Sequence, residues 1–439
     1  MSAIKPTAPA PALRRVAILG GNRIPFARAN TAYATASNQD MLSAAMQGLI
    51  DRFGLHGQRL GEVAAGAVLK HSRDFNLTRE SVLSTTLAPQ TPAYDVQQAC
   101  GTGLETVILT GNKIAMGQID VAIAGGVDTA SDAPIGVNET LRKILLEANR
   151  QRSTSAKIGA FAKARPGMLF RPSLPRNGEP RTGLSMGEHC ELMAKHWQIE
   201  RAAQDELALA SHERLAAAYE QGFFLDLMTP FRGLQRDNNL RPDVTLEKLA
   251  SLKPVFDRSA AGTLTAGNST PLTDGASCVL LASEAWAHAH GIPVLAYLTY
   301  SQTAAVDFFN PDESQREGLL MAPVYAVPRM LAQAGLTLQD FDFYEIHEAF
   351  AAQVLCTLKA WEDPQYCRDK LGLAAPLGGI DRQRLNVHGS SLACGHPFAA
   401  TGGRILATLA KLLAMRGGGR GLISICAAGG QGVVAMLER

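Results

Sequence analysis

The fold is decided by residues 100–126, which read CGTGLETVILTGNKIAMGQIDVAIAGG. Glycines at the start lead into apolar residues at helical spacing, and a turn at Gly117 precedes a short apolar run that ends in Gly125-Gly126. This change from a period near 3.6 to a continuous apolar run predicts a helix followed by a buried strand. The stretch therefore predicts one α/β unit.

The same order of elements recurs at residues 397–430, which read PFAATGGRILATLAKLLAMRGGGRGLISICAAGG. A loop, a helix, a glycine-rich turn and a buried strand are again followed by a glycine doublet, Gly429-Gly430. We interpret the two stretches as a duplicated α/β unit, with one copy in each half of the chain. Buried strands fed by crossover helices imply parallel pairing, with helices on both faces of the sheet.

The composition limits the possible classes of protein. The chain has 439 residues, 46% of them hydrophobic, which is enough for two or three domains with buried cores. Its formal net charge of +2 gives no overall reason to expect nucleic acid, and no uncharged apolar run reaches the ~18 residues of a membrane span. Seven cysteines without a Cys-x-x-Cys pair favour a reducing compartment, so we expect a soluble, cytoplasmic protein. Residues 1–15 are rich in Ala and Pro, and we predict that they form a disordered tail.

A basic, proline-containing segment separates the two units. Residues 142–181 carry ten Lys and Arg against two Asp and Glu, a net charge of +8. We interpret this segment as part of an inserted loop domain, which continues through a helix near residues 204–221 and returns to the core near Thr265. Its charge is either a solvated surface or faces a polyanion, such as cofactor phosphates, a partner subunit or anionic lipid.

Two residues near the glycine loops suit nucleophilic chemistry. Cys100 lies between a predicted strand and a predicted helix, where backbone N–H groups and the helix dipole lower the pKa of a thiol. A small buried core cysteine is the alternative. His396 is held before Pro397 in a glycine-rich loop, and a fixed imidazole of this kind can deprotonate a thiol.

Two further residues lie at predicted strand ends. Cys426 directly follows the apolar run 422–425, and ligands of α/β sheets gather beyond the carboxyl ends of strands. His347 lacks the second histidine of a His-Glu-x-x-His zinc motif, but a neutral imidazole there can donate a hydrogen bond to a developing oxyanion. Each signal is weak alone, and together with Cys100 and His396 they predict one Cys-His-Cys-His site.

In this order, the motifs of the chain resemble those of the thiolase family. The resemblance runs from Val16 to Arg439 and rests on Arg23-Ile24-Pro25-Phe26, Gln98-Ala99-Cys100-Gly101-Thr102-Gly103-Leu104, Ala124-Gly125-Gly126, Met186-Gly187, Gln204-Asp205-Glu206, Ser211-His212, Thr265-Ala266-Gly267-Asn268, Asp274-Gly275-Ala276, His347-Glu348-Ala349-Phe350, Gly395-His396-Pro397, Thr401-Gly402-Gly403-Arg404 and Cys426.

The resemblance implies a thiolase-like α/β fold, a duplicated α-β-α-β-α five-layer sandwich with an inserted loop domain that binds coenzyme A. It divides the chain, after the tail at 1–15, into an N-terminal half (16–141 and 256–285), a loop domain (142–255) and a C-terminal half (286–439). Homodimers or homotetramers are common in the family, so a homo-oligomer is expected.

The resemblance also implies residue roles. Cys100 would be the nucleophile that carries the acyl group as a thioester, and His396 its activating base. Cys426 would be the second acid/base, which moves the proton at the substrate α-carbon. His347 would help place a water in a first oxyanion hole beside His396, while the backbone N–H groups of Cys100 and Ala428 would form a second.

The implied reaction is the CoA-dependent thiolytic cleavage of 3-ketoacyl-CoA to acetyl-CoA and a shortened acyl-CoA, a reversible Claisen condensation. His347 replaces the Asn of many thiolases and resembles the β-subunits of fatty-acid β-oxidation complexes, which favours the degradative direction and a multienzyme partner. The alternatives are a biosynthetic acetoacetyl-CoA thiolase, a ketoacyl synthase and a non-catalytic acyl-CoA or lipid carrier. Ketoacyl synthases typically lack the C-terminal cysteine, so Cys426 favours a thiolase.

Coenzyme A is expected as a substrate, with no tightly bound cofactor, no metal and no nucleic-acid partner. Its predicted contacts, besides the basic loop, are Ser185, Met186, Ala266, Gly267, Thr270 and Phe350.

The chain departs from the family pattern at several positions. Ser390 and Ser391 stand where a glycine doublet is usual, and Ala427-Ala428 replaces the commoner Ile-Gly. Asp128 takes the place of the family's Glu after the first glycine doublet, and Cys394 is interpreted as a structural neighbour of His396.

Overall fold

The computed structural model describes residues 13–169 and 171–439. The strands are β1 (Val16–Arg23), β2 (Ala27–Arg28), β3 (Glu62–Ala65), β4 (Ala93–Asp95), β5 (Val121–Asp128), β6 (Thr273–Ser283), β7 (Ala296–Ala305), β8 (Phe343–Ile346), β9 (Arg420–Ala427) and β10 (Gln431–Glu438). The helices are α1 (Asn38–Phe53), α2 (Leu77–Leu83), α3 (Thr102–Ala115), α4 (Glu139–Arg150), α5 (Thr154–Phe161), α6 (Pro166–Leu169), α7 (Met186–His196), α8 (Arg201–Glu220), α9 (Leu246–Ala250), α10 (Glu284–Ala289), α11 (Ala322–Ala334), α12 (Ala351–Glu362), α13 (Pro364–Asp369), α14 (Ser391–Cys394) and α15 (Thr401–Arg416).

The strands form one mixed sheet in the order β4-β3-β5-β6-β1-β7-β10-β9-β8, with β2 paired to β6. Only β3 with β4, β3 with β5 and β8 with β9 pair in parallel among the described strands. The prediction of parallel pairing is therefore wrong for the centre of the sheet, where β5, β6, β1, β7, β10 and β9 are antiparallel neighbours. One reason is the tight turn between β9 and β10, where Gly429 and Gly430 have φ of +78° and +69° and reverse the chain.

The two predicted α/β units are present as α3 with β5 and α15 with β9, but their glycine doublets differ. Gly125 and Gly126 lie inside β5 rather than after it. A Cβ on Gly126 would lie 2.2 Å from the carbonyl oxygen of Ala399, so the strand needs glycine to pass close to that loop. The second doublet instead forms the β9–β10 turn, and the interpretation of equivalent doublets is therefore wrong.

The two helices of the duplicated units lie between the two halves of the sheet. α3 packs on β5, β6 and β10, and α15 packs on β1, β6 and β9. α1 covers the outer side of β1 and β6, while α11 covers the outer side of β7 and β10. The resulting layers, helix, sheet, helix, sheet and helix, agree with the predicted α/β sandwich.

The inserted segment runs between β5 and β6. The helix predicted near residues 204–221 is α8, and the sheet resumes at Thr273, a few residues after the predicted return. Residues 1–12 of the predicted disordered tail lie outside the described residues. Arg14 and Arg15 form ion pairs with Asp120 (2.6 Å) and Glu284 (2.7 Å).

One helical stretch of the described chain, Phe398–Arg416, has the length and hydropathy of a membrane span, and 78% of its apolar window is buried inside the molecule. It contains α15, so its apolar character is explained by its position between the two halves of the sheet.

Candidate active site

Cys100 lies in a tight turn immediately before α3. The preceding residue, Ala99, has φ of +46°, a left-handed conformation that is unfavourable for a residue with a Cβ. Thr102 fixes this turn, because its hydroxyl donates to the Ala99 carbonyl oxygen (2.7 Å) and accepts from the Gln98 N–H (2.8 Å). The half-buried Cys100 thereby lines a cavity.

His396 meets Cys100 from the other half of the molecule. Its Nε2 lies 3.0 Å from the Cys100 Sγ, and its Nδ1 lies 2.6 Å from the Thr401 Oγ1. The His396 backbone N–H donates to the Thr273 hydroxyl at 2.7 Å. The imidazole is therefore fixed on both sides, with one nitrogen available to the thiol.

His347 follows β8 and lies beside His396. The centroids of the two rings are 4.1 Å apart, and the His347 Nδ1 lies 2.8 Å from the Ser391 Oγ. Its Nε2 is buried without a hydrogen-bond partner among the described residues. The Cys100 sulfur and one ring nitrogen from each histidine all lie within 4.8 Å of one another.

Cys426 is the last residue but one of β9 and lines the same cavity as Cys100 and His396. The cavity has a volume of about 250 Å³, and its other walls include Met186, Gly187, Phe256, Thr270, Leu320, Phe350, Phe398 and Ala428. The structure therefore brings together all four residues of the predicted Cys-His-Cys-His site.

Burial controls the electrostatics of the two sulfurs. It raises the pKa of the Cys100 thiol to about 12, although the backbone N–H groups of Ala428 and of Cys100 itself lower it. The predicted lowering of the Cys100 pKa is therefore wrong for the free enzyme, because desolvation outweighs the backbone dipoles at the helix start. Burial also raises the pKa of Cys426 well above its usual value, and the nearby Cys100 adds to this shift.

The two imidazoles shift in the opposite sense. Burial lowers the pKa of His396 to about 3, and the positive charge of Arg404 contributes to the same shift. Burial, His396 and Arg404 together lower the pKa of His347 well below its usual value. All four groups are therefore neutral near pH 7, and charge arises only when a proton moves between them.

Asp128 secures the loop that follows His396. Its carboxylate accepts hydrogen bonds from the backbone N–H groups of Val68 (2.9 Å), Leu69 (2.8 Å) and Ala399 (2.9 Å). Burial nevertheless raises the pKa of Asp128 to about 7. The carboxylate joins the loops after β3 and after His396.

The predicted coenzyme A contacts fall into two cavities. Met186, Thr270 and Phe350 line the catalytic cavity. Ala266 and Gly267 line a second cavity of about 320 Å³, whose walls also include Arg28, His212, Arg241 and Lys248.

Two predicted residues lie elsewhere. Ser185 is in neither of these cavity walls. Its hydroxyl caps α7 by accepting from the Glu188 N–H (3.2 Å) and donating to the Glu188 Oε2 (2.7 Å). Cys394 is buried beside the site without lining the catalytic cavity.

The sequence interpretation missed the hydroxyls that fix the two histidines. Thr401 and Ser391 each contact an imidazole Nδ1, and Thr273 anchors the His396 backbone. Thr401 was visible only as part of a motif, and Ser391 only as a departure from a glycine doublet. Nothing in the local sequence of Thr273 indicated its contact with a residue so far along the chain.

Comparison with known proteins gives a consistent result over almost the whole chain. Residues 16–285 match the family model for the thiolase N-terminal domain, and residues 297–439 match that for the thiolase C-terminal domain. Proteins named 3-ketoacyl-CoA thiolase from Yersinia pestis (strain Pestoides F) and Yersinia pseudotuberculosis (strain YPIII) are each 42% identical over 430 residues, 97% of both chains.

Solved structures with the same architecture include an acetyl-CoA acetyltransferase and a 3-ketoacyl-CoA thiolase. The Bacillus anthracis acetyl-CoA acetyltransferase has a TM-score of 0.80 at 27% identity, over 97% of this chain and 99% of its own. The human mitochondrial 3-ketoacyl-CoA thiolase has a TM-score of 0.79 at 28% identity, over 98% of this chain and 100% of its own, and is also solved in complex with CoA.

Proposed function

Because the chain belongs to the thiolase family, we propose that it is an acetyl-CoA C-acyltransferase that cleaves 3-ketoacyl-CoA with the thiol of coenzyme A. The products are acetyl-CoA and an acyl-CoA shortened by two carbons. The observation that carries this function is the 3.0 Å contact between the Cys100 Sγ and the His396 Nε2, inside a cavity that also contains Cys426. A nucleophilic thiol, its base and a second acid/base are the groups that this reaction requires.

The first half-reaction forms an acyl-enzyme. His396 takes the Cys100 proton as the sulfur attacks the 3-keto carbon, and the bond between C2 and C3 then breaks. The departing enolate of acetyl-CoA takes a proton from Cys426 at its α-carbon. Cys100 is left with the shortened acyl group as a thioester, and Cys426 as a thiolate.

The second half-reaction restores the enzyme. The Cys426 thiolate takes the proton of the incoming CoA thiol, whose sulfur then attacks the Cys100 thioester. The Cys100 sulfur leaves and recovers its proton from His396. Because the high pKa of Cys426 makes its thiolate a strong base, it is suited to deprotonate a thiol and, in the reverse direction, an α-carbon.

Two groups of donors suit the two oxyanions. The backbone N–H groups of Cys100 and Ala428 face the Cys100 sulfur, next to the position of a tetrahedral carbon bonded to that sulfur. We assign them to the tetrahedral intermediates. We assign the imidazoles of His347 and His396 to the enolate oxygen, as the two rings adjoin each other beside the thiol.

Coenzyme A is proposed to extend from the catalytic cavity to the second cavity. The pantetheine would pass Thr270 and Phe350, whose segments are joined by the hydrogen bond from the Thr270 N–H to the Ala349 carbonyl oxygen (3.1 Å). The nucleotide phosphates would lie near Arg241 and Lys248 in the second cavity. These cations lie outside the basic segment 142–181.

The site roles are tested by trapping the acyl-enzyme. After incubation with acetyl-CoA, intact-protein mass spectrometry should show one added acetyl group, and peptide mapping should assign it to Cys100. The Cys100→Ser variant serves as the control and should give no thioester. A wild-type protein that remains unacylated would refute the proposed function.

The acyl chain lengths of the substrates that the enzyme cleaves distinguish the degradative function from the biosynthetic alternative. We propose the degradative role in fatty-acid β-oxidation, supported by the name of the 42%-identical relatives. Rates of thiolysis across 3-ketoacyl-CoA substrates test this choice. Activity confined to acetoacetyl-CoA would favour the biosynthetic function.

Assembly and location are further parts of the proposal. β4 is an edge strand with partly exposed residues, and such edges can pair with a second chain, so we propose a homodimer or homotetramer. A multienzyme partner of the β-oxidation type is compatible with this assembly. Light scattering coupled to gel filtration measures the number of subunits.

All seven cysteines are free, which supports a reducing compartment such as the cytoplasm.

A further inference from the structure

We propose that Ser391 and Arg404 fix the tautomer of His347, so that its imidazole presents Nε2–H to the substrate as a hydrogen-bond donor. This inference rests on the proposed function and assigns Ser391 and Arg404 as positioning residues for it.

The three side chains form a buried series of contacts. The Arg404 Nη2 lies 3.0 Å from the Ser391 Oγ, and the Ser391 Oγ lies 2.8 Å from the His347 Nδ1. His347 and Ser391 are fully buried and Arg404 is 4% exposed, so water does not compete freely for these bonds.

The direction of the hydrogen bonds follows from the chemistry of the groups. A guanidinium only donates, so the Ser391 oxygen accepts from Arg404. Among the described contacts of the Ser391 hydroxyl, the His347 Nδ1 is the one group able to accept its proton. If Nδ1 instead carried a hydrogen and donated it, the buried hydroxyl proton of Ser391 would have no acceptor, which is costly.

The tautomer of His347 then follows. The imidazole is neutral, because burial and Arg404 both disfavour its protonated form. With Nδ1 accepting, the single ring hydrogen lies on Nε2, the nitrogen that has no partner among the described residues. That hydrogen is free to bond a substrate oxygen or a water that contacts it.

His396 needs the opposite tautomer for its proposed role. To accept the Cys100 proton, its Nε2 must be unprotonated, so its Nδ1 must donate to the Thr401 hydroxyl (2.6 Å). No arginine contacts the Thr401 oxygen among the described hydrogen bonds, so this hydroxyl can either donate or accept. An arginine therefore fixes the direction of the hydrogen bond at His347, whereas the bond at His396 can reverse as the imidazole gains and loses a proton.

The test compares Ser391→Ala with Ser390→Ala. Ser390 is the matched control, because its Oγ also contacts the Arg404 Nη2 (3.2 Å) but has no described contact with His347. The readout is exchange of the acetyl-CoA methyl hydrogens with D₂O, which requires an enolate, measured beside acetylation of Cys100, which does not.

We expect Ser391→Ala to slow methyl exchange about 10- to 100-fold while Cys100 acetylation stays within about 2-fold, as for loss of an oriented oxyanion donor. Ser390→Ala should leave both rates within about 2-fold of wild type, and Ser391→Thr, which keeps the hydroxyl, should restore exchange. Equal slowing by the Ser390 and Ser391 alanine variants, or slowing by neither, would overturn the inference.

A direct readout does not depend on turnover. In protein labelled with ¹⁵N-histidine, the chemical shifts of the His347 ring should show Nδ1 as the unprotonated nitrogen. A protonated Nδ1 overturns the tautomer assignment even if Cys100 is acylated normally. An unacylated wild-type Cys100 instead refutes the proposed function, so the two failures are distinguishable.

Discussion

At the scale of single residues, the proposed sulfur chemistry divides between two cysteines in one cavity. Cys100 contacts His396, its proposed base, whereas Cys426 has no contact with that imidazole among the described hydrogen bonds. This separation suits the proposed roles, in which one sulfur carries the acyl group while the other moves protons. Cys394 is a third cysteine near the site, but it does not line the cavity.

Substitution of Cys426 tests this division. In Cys426→Ala the contact between Cys100 and His396 is retained, so acetylation of Cys100 should persist. Thiolysis of 3-ketoacyl-CoA should fall by about 10²–10⁴-fold, as expected for loss of a general acid/base. Steady-state thiolysis and protein mass spectrometry measure the two effects. Cys394→Ala is the control and should keep wild-type rates, while full turnover by Cys426→Ala would disprove the role of that thiol.

Glu345 links stability to pH. It is 1% exposed, neither carboxylate oxygen has a hydrogen-bond partner among the described residues, and burial raises its pKa from 4.5 to about 8. Between these values the unfolded chain releases a proton that the folded chain keeps, so the free energy of unfolding falls as pH rises.

Replacement of Glu345 by glutamine removes this titration. Relative to wild type, Glu345→Gln should gain stability as the pH rises from 5 to 8, by about 1–3 kcal/mol at the upper end. Urea unfolding across this pH range measures the difference, with the exposed Glu80→Gln as control. A difference that stays constant with pH would show that Glu345 titrates normally.

The sequence predicted that four Cys and His residues share one site, but not how they are held. Recognisable motifs at element ends contain Cys100, His347, His396 and Cys426. The order of these motifs along the chain was therefore sufficient to predict one shared site. Thr273 and Ser391 are common polar residues whose contacts depend on tertiary structure. The pKa of Cys100 was predicted in the wrong direction because burial depends on surrounding elements, whereas the helix start is visible locally.

At the scale of elements, the starts of α3 and α15 cross without room for side chains. A Cβ on Gly103 would lie 2.4 Å from the Ala399 carbonyl oxygen, and a Cβ on Gly402 would lie 2.2 Å from the Leu104 nitrogen. The clashes would be with backbone atoms, which cannot rotate away. This close approach brings the turn of Cys100 next to the loop of His396.

Gly103→Ala tests the importance of that crossing. The added methyl group should push the two helix starts apart, destabilise the protein by about 1–3 kcal/mol and slow Cys100 acylation. Thermal unfolding and the rate of acetylation by acetyl-CoA measure these effects. Gly159→Ala is the control, since a Cβ there meets nothing within 4 Å and α5 should tolerate alanine. Equal stability of the two variants would contradict the role of the crossing.

Local patterns predicted these helices and the strands that follow them, but not the direction of their neighbours. The long insertion between β5 and β6 hides the fact that the chain returns antiparallel to β5. Likewise, a glycine doublet considered alone predicts a turn. The second doublet forms one, whereas the first lies within β5, where the loop at Ala399 passes close to it.

At the scale of the whole molecule, positive charge is concentrated in two different places. The segment 142–181 has the highest positive charge, yet the cations lining the cavity next to Ala266 and Gly267 are Arg28, Arg241 and Lys248. Cations that point into a concave site can recognise phosphates specifically, whereas a solvated basic surface attracts polyanions in general.

Kinetics for coenzyme A separate these two groups of cations. Arg241→Gln and Lys248→Gln should each raise the KM for coenzyme A about 3- to 10-fold with kcat little changed, because the lost contacts are the same in the ground and transition states. Lys157→Gln, an exposed change within the basic segment, is the control and should keep the KM. An equal rise in all three variants would indicate that overall charge, rather than this cavity, attracts the substrate.

The contact between Cys100 and His396 has a practical consequence for handling the protein. The sulfur belongs to the N-terminal half and the imidazole to the C-terminal half, so turnover depends on the mutual alignment of two substructures that are each internally well packed. We expect a nick, mild heating or a low concentration of denaturant that shifts the two halves by about an ångström to reduce activity strongly while helical ellipticity persists. Enzyme assays are therefore a stricter gauge of sample quality than circular dichroism.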